Sequence, residues 1–388
     1  MQIKVRKLRE ALELLGPVVP KKATLPVLTN VLLKDGKAMA TDLEIAVALE
    51  LPEAEGQCVL PYRPVADLLK RVPGAGTLTL EQEGKKLNLA WPGGRASYDA
   101  PEPEDYPPFP KVKARVEQAV DGDTLVPALL QVADYCATKE DRPVLTGVAL
   151  VLGENLEVAG ADGFRLAHRT LSIAFPAVED LQEVIIPVRA VRVLAHLWEK
   201  TPRVAPLESS LIAVVTARRQ LELALGNGQL EARFGPATLI ARLIQGSPPN
   251  YRQLIPEDTP QKVRVMAPDF ERAVRQVREM AKDNVRLIWS ETEMTVRAVS
   301  EDKGELEVVI PVETDGGPGR TAVNISYLLD YLRGKEGLVT MGIAGPTSPI
   351  LFLHSASPLV LIMPMSVQWP SDEADRPEEP SEDEEPVD

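Results

Sequence analysis

Pro26-Val27-Leu28-Thr29-Asn30-Val31-Leu32-Leu33 returns 117 residues later as Pro143-Val144-Leu145-Thr146-Gly147-Val148-Ala149-Leu150, identical at six of eight positions. The same shift lays Leu8-Arg9-Glu10-Ala11-Leu12 on Leu125-Val126-Pro127-Ala128-Leu129, and a third version reads Phe270-Glu271-Arg272-Ala273-Val274. Apolar residues three and four apart mark one face of a helix. A second helix type recurs at Leu60-Pro61-Tyr62-Arg63-Pro64-Val65, at Ile186-Pro187-Val188-Arg189-Ala190-Val191 and at Val323-Asn324-Ile325-Ser326-Tyr327-Leu328. Each copy follows a short apolar strand and opens on a Pro or Asn that can start a helix. The chain therefore reads as three copies of helix, strands, helix, strands. At about 123 residues per copy each has the size of a domain, and the period is far too long for a solenoid.

Between the helices the apolar residues alternate, as in Thr77-Leu78-Thr79-Leu80-Glu81, Leu156-Glu157-Val158-Ala159 and Leu221-Glu222-Leu223-Ala224-Leu225. This is the pattern of half-buried antiparallel strands. Asp35-Gly36, Glu83-Gly84 and Asn227-Gly228 stand where hairpins need turns. The predicted fold class is α+β, with antiparallel sheets and two helices per repeat. The expected divisions are 1–115, 116–256 and 257–369, followed by a tail over 370–388.

The chain of 388 residues carries a formal charge of −14, and its apolar content of 44% suits packed cores. From Pro370 to Asp388 there are ten acidic residues and one Arg, so the tail carries −9 and residues 1–369 carry −5. With its Pro, Ser and Glu, the tail reads as disordered. No run of about 18 apolar residues occurs, and the first residues lack the apolar core of a signal peptide, so the expected location is the cytoplasm and no membrane partner is expected. Cys58 and Cys136 are too few for a disulfide framework or a zinc cluster and read as buried or half-buried free thiols.

Residues that would carry catalysis are missing. His168, His196 and His354 share no metal-ligand spacing, and no P-loop, nucleophile elbow or dinucleotide fingerprint occurs. Asp162-Gly163 reads as a strand-end turn and Gly316-Gly317-Pro318-Gly319 as a loop. No cofactor, metal or enzymatic activity is expected. The charge distribution points elsewhere: the six helix windows Val5–Leu15, Arg63–Arg71, Leu125–Lys139, Arg189–Lys200, Asp269–Lys282 and Ser326–Lys335 together carry +7, which leaves −21 for everything outside them. Basic charge is thus segregated onto the repeated helices, where a ring of such domains would turn it toward one axis.

Several strings make the reading specific. Thr24-Leu25-Pro26-Val27-Leu28, Ala40-Thr41-Asp42-Leu43-Glu44, Asp162-Gly163-Phe164-Arg165-Leu166-Ala167, Pro249-Asn250-Tyr251-Arg252-Gln253-Leu254-Ile255-Pro256, Asn324-Ile325-Ser326-Tyr327-Leu328-Leu329 and Leu361-Ile362-Met363-Pro364-Met365 resemble, in order, the bacterial sliding clamp, the beta subunit of the replicative DNA polymerase. The likeness runs from about residue 1 to 367. It implies three repeated clamp-type domains in a ring-forming homodimer around double-stranded DNA, with sheets outside and helices inside. Its implied partners are the replicative polymerase, the clamp loader, repair polymerases and other proteins that carry clamp-binding motifs. By matching position Lys22, Arg63, Lys139 and Arg189 are the DNA-side residues, with Arg6, Arg9, Arg272 and Arg275 as weaker candidates. The family's peptide-binding cleft lies between the second and third domains. Here it would use Leu145, Gly163, Arg165, Leu166, Pro249, Leu254, Asn324, Tyr327, Pro349, Leu361, Ile362, Met363, Pro364 and Met365.

Three departures from the family bear on particular expectations. Family members end about two residues after the Met-Pro-Met string, whereas this chain runs on through Ser366, Val367 and Trp369 into the acidic tail. That tail is either an inert solubilising segment or one that repels acidic ligands or competes for the cleft through Val367 and Trp369. The third-domain helix reads Arg278-Glu279-Met280 where an apolar pair is common, which implies a more polar subunit contact. Phe164 replaces a frequent His or Tyr. Two other functions stay open: a clamp-fold scaffold for repair or regulatory proteins, and an enzyme without a recognisable motif.

Overall fold

The computed structural model describes residues 1–139, 141–201, 219–300 and 302–369. Among them are six α-helices where the periodicity places them: α1 Val5–Leu15, α2 Tyr62–Leu69, α3 Gly122–Ala133, α4 Val188–Lys200, α5 Ala267–Val277 and α6 Ile325–Leu332. Pro61, Pro187 and Asn324 are the N-caps of α2, α4 and α6, as the three recurring strings predict. The repeated stripe is the buried face. In α1 it is Val5, Leu8, Ala11, Leu12 and Leu15, and in α5 Ala267, Phe270, Ala273, Val274 and Val277. Each large apolar side chain so buried contributes roughly 1.5–3 kcal/mol. The helices pack in pairs, α1 on α2, α3 on α4 and α5 on α6. The last pair's first helix stops at Val277, so Arg278, Glu279 and Met280 lie in the turn after α5 and not on it.

The chain divides into two compact units, Met1–Tyr251 and Arg252–Asp388. In the first, strands Gln2–Lys4, Thr77–Glu83, Lys86–Trp91 and Gly94–Asp99 form one antiparallel sheet in that order. A second sheet of eight strands draws on both of the first two repeats, because Ile45–Glu50 pairs antiparallel with Ala237–Arg242, with Val47 opposite Leu239. This shared sheet explains why the two repeats form a single unit. Glu183–Pro187, Gly147–Val151, Leu156–Ala161 and Arg165–Leu171 lie side by side in a further antiparallel layer.

In the second unit, Gly304–Pro311, Glu293–Ser300, Asn284–Trp289 and Gly319–Asn324 form a four-stranded sheet. The strands Leu359–Ile362, Ile350–Leu353, Leu338–Ile343, Gln261–Met266 and Glu313–Asp315 pair successively beside one another. The hairpin turns have the chemistry read from the sequence. Asp35 and Gly36 have φ of 51° and 75°, and Asn227 and Gly228 have 42° and 70°. Two consecutive left-handed residues match the twist of the flanking strands. No helix among the described residues is long and apolar enough to cross a membrane.

Candidate functional site

The Asp162-Gly163 turn positions the first group of predicted residues. Asp162 Oδ1 accepts from the amides of Phe164 at 2.9 Å and Arg165 at 3.0 Å, while Gly163 takes φ +96°. Arg165 is thereby folded inward. Its Nε donates to Asp162 Oδ2 at 2.9 Å, Nη2 donates to the Asp134 carbonyl at 3.1 Å, and the guanidinium lies 5.1 Å from the centre of the Tyr135 ring. The first repeat builds the same turn, with Asp42 Oδ1 accepting from Glu44 at 3.0 Å and Ile45 at 2.8 Å.

Beside this turn the first unit has a narrow cleft with a cavity volume of only about 10 Å³. Val144, Leu145, Leu166, Pro248, Pro249 and Tyr251 wall it. Its floor consists of Gly147, Ala149, Ala159, Gly160 and Ala161. Two of these positions are held small by close neighbours, Gly160 from the helix behind the sheet and Gly147 from the adjacent strand. A Cβ on Gly160 would stand 2.1 Å from the Val132 carbonyl oxygen, and one on Gly147 2.6 Å from Ile185 Cγ2. The structure thus places Leu145, Leu166 and Pro249, three of the residues named from the resemblance, around one cleft. It adds Val144, Pro248 and Tyr251, the last two inside or next to the Pro-Asn-Tyr string that carried part of the resemblance.

The second unit holds the other predicted group, and it separates into two kinds. Leu361 and Ile362 are 3% and 0% exposed and belong to the strand Leu359–Ile362, where they oppose Leu351 and Ile350. They support the surface from below. Leu254 and Met363 are exposed apolar side chains at 51% and 38%. Tyr327, Pro349, Pro364 and Met365 are half-buried. Asn324 is committed to the start of α6, its Oδ1 accepting from Ser326 N at 2.9 Å and Tyr327 N at 3.2 Å. That cap fixes the helix end from which Tyr327 projects.

The predicted basic residues also differ among themselves. Lys22, Arg63 and Lys139 are exposed and make no ion pair among the described residues. Arg189 is paired with Asp42, donates to the Pro17 carbonyl at 3.3 Å, and has its pKa lowered by burial. Arg9 is half-buried and ties α1 to α2, donating to the carbonyls of Leu69 at 2.5 Å and Val72 at 2.7 Å. Arg6, Arg272 and Arg275 pair with Glu10, Asp269 and Glu271 one helical turn away.

Chemistry of other kinds has no visible foundation among the described residues. No group of three or more His, Cys, Asp and Glu could hold a metal ion there. His168 pairs with Glu157 at 3.0 Å, and His354 and His196 lie against the carbonyls of Glu336 and Glu13. Cys58 and Cys136 are both free and buried, as expected, and burial pushes each thiol up to about 12.

Residues 119–250 match the family described as the central domain of the DNA polymerase III beta subunit, and residues 252–366 match that of its C-terminal domain. The beta sliding clamp of Synechococcus elongatus is 26% identical over 382 residues, which covers 93% of this chain and 98% of the relative. The solved sliding clamp of Pseudomonas aeruginosa is 25% identical and superposes with a TM-score of 0.83 over 95% of this chain and 99% of that one. A solved clamp from Bartonella birtlesii shares the fold with a TM-score of 0.84 at 21% identity, with the same coverage.

Proposed function

We infer the function from one premise: this chain belongs to the DNA polymerase III beta-subunit family, the bacterial sliding clamps. As a clamp it is a processivity factor of DNA replication and not an enzyme. We propose that it forms a homodimeric ring of three domains per chain, divided near 115 and 256, with sheets outside and the helix pairs inside. In this reading it encloses duplex DNA in the cytoplasm, slides without sequence specificity and tethers the replicative polymerase. The apolar surfaces around Leu166 and around Met363 take partner peptides, including those of the clamp loader and repair polymerases, with Lys22, Arg63 and Lys139 as the freest phosphate contacts.

The observation that supports this reading over a clamp-fold scaffold for repair or regulatory proteins is the match in order along 98% of the relative's length. Exposed lysines and arginines touching phosphate give affinity without choosing a sequence. Such contacts weaken steeply with salt, but topological enclosure does not. The test is to load the protein on a nicked circle with a clamp loader and wash at high salt. Retention on the circle and release when the circle is linearised are expected. Equal retention on circular and linear DNA would mean that contacts hold the protein, and the ring would be refuted.

A further inference from the structure

Gly319–Asn324 is the outermost strand of its four-stranded sheet, and the segment after Ile362 runs along its open edge. Pro364 bridges Val323, and the Met365 amide donates to the Ala322 carbonyl at 2.7 Å. Beyond Met365 the side chains alternate, Ser366 and Gln368 exposed, Val367 and Trp369 half-buried. That is the period of an extended strap covering a sheet edge. The strap ends with the Trp369 ring over two guanidinium groups, Arg320 at 4.6 Å and Arg286 at 5.6 Å from its centre.

These arginines belong to a mixed face in which three arginines outnumber two carboxylates, Glu307 directly opposite Arg297 and Glu305 two residues along the same strand. Arg286 lies directly opposite Arg297 on the neighbouring strand, and Arg320 opposes Ile288, two residues along from Arg286. Residues two apart in a strand share a face, so the three guanidinium groups rise on the same side of the sheet. Arg297 pairs with Glu305, whereas Arg286 has no ion pair among the described residues. Burial and repulsion from Arg297 lower the Arg286 pKa, and Glu305 offsets this only in part. Like charges directly opposite one another cost stability unless something anionic covers them. The sequence supplies ten acidic residues in the 19 positions after Trp369, starting at Asp372-Glu373.

We propose that the acidic segment Pro370–Asp388 docks in cis on the arginine face of Arg286, Arg297 and Arg320, with Trp369 as its anchor. The anchor holds the segment at an effective concentration on the order of millimolar, so individually weak ion pairs suffice to keep it there. The docked segment closes this face to other anions, phosphate included, and high salt opens it.

The test compares the full chain with a chain ending at Trp369, which keeps the strap and the anchor. The probe is a labelled peptide of residues 370–388 titrated at low salt. The shortened chain is expected to bind it with a Kd at or below about 0.1 mM, and the full chain about tenfold or more weakly because its own segment competes at about millimolar effective concentration. Combining Arg286→Gln with Arg320→Gln in the shortened chain should abolish binding. Since that pair of changes could disturb folding, Trp369→Ala in the full chain serves as a second variant and should let the peptide bind several-fold more tightly. Equal binding to both chains, or none to the shortened chain up to about 1 mM, would overturn the proposal. So would a truncation that strengthens duplex DNA binding or self-association through these arginines without any peptide binding, since the face would then belong to phosphate or to a second copy.

Discussion

Replacing Met363 by Ala separates a residue that meets a ligand from one that holds up the surface. Met363 is 38% exposed, whereas Leu166, named with it from the sequence, is 3% exposed. Full burial of such a side chain contributes roughly 1.5–3 kcal/mol. Only the exposed 38% of Met363 remains for a peptide to cover, which scales that figure to about 0.6–1.1 kcal/mol, or roughly a three- to sixfold weaker Kd in the Ala variant. Losing the part already buried by the fold should cost about 0.9–1.9 kcal/mol of stability on the same scale. Leu166→Ala instead empties a packed site and should cost about 2–5 kcal/mol of stability, so any loss of peptide binding there is mixed with loss of fold. Fluorescence anisotropy of a labelled peptide carrying a polymerase clamp-binding motif reads the affinity, and urea melts of both variants read the stability. Unchanged affinity in Met363→Ala would place the ligand elsewhere. A destabilisation equal to that of Leu166→Ala would show that Met363 is a core residue and refute the division.

Two further outcomes follow from the geometry of the first unit and from its thiols. Arg219 donates to Asp123 Oδ1 at 3.1 Å and to the carbonyls of Trp198 at 2.7 Å and Thr201 at 3.1 Å, and it stacks 4.1 Å from the Trp198 ring centre. Arg219→Ala should cost about 2–3 kcal/mol in chemical denaturation, and a change within about 0.5 kcal/mol would make the network incidental. Cys58 and Cys136 are pushed up to about 12 by burial. The folded state therefore keeps its thiol protons after the unfolded state has lost them, so these groups favour folding below about pH 8.5 and that contribution is lost as pH rises toward the folded value. Ellman reagent at neutral pH should label neither thiol until denaturant is added, and rapid labelling of the native protein would contradict their burial.

The repeats were legible because the same residues that make the core stripe also make the sequence pattern. Val5, Leu8 and Leu12 face inward in α1, as Phe270, Ala273 and Val274 do in α5. The hairpin turns were legible for a local reason, since Asn227-Gly228 accepts a left-handed backbone whatever surrounds it. What the sequence could not show was partnership across long separations. Arg9 has the spacing of an exposed helix-face cation, yet it is spent on carbonyls 60 and 63 residues away. Leu361 and Met363 stand two residues apart in one motif, but the first is sealed between strands and the second ends past the strand in the open. The floor of the cleft was equally hidden. Gly160 is an unremarkable residue until Val132 is seen to approach it from behind. The stacking of Trp369 on Arg286 and Arg320 also needed the register of strands that a sequence alone does not supply.

That long-range pairing changes what a positive count on the helices means for DNA. The six windows hold +7, but most of their cations already face a carboxylate: Arg6 with Glu10, Lys7 with Glu53, Lys70 with Asp67, Arg189 with Asp42, Arg192 with Asp134, Lys200 with Glu13, Arg272 with Asp269, Arg275 with Glu271 and Arg333 with Asp330. Most of these pairs are solvent-exposed, and an exposed pair is worth only about 0–1 kcal/mol, so a phosphate can replace the carboxylate at little cost and be released again as easily. Each contact is then an exchange of one anion for another, with little net gain. A protein that gripped phosphates with free arginines would gain affinity at each step and stall there. One whose cations are already half satisfied would have a flatter energy along the duplex, with the exposed Lys22, Arg63 and Lys139 as the proposed source of the modest remaining attraction. In the proposed ring, weak and exchangeable contacts would favour movement and staying on the DNA would come from closure of the chain pair around it, which makes the linearised circle the decisive substrate.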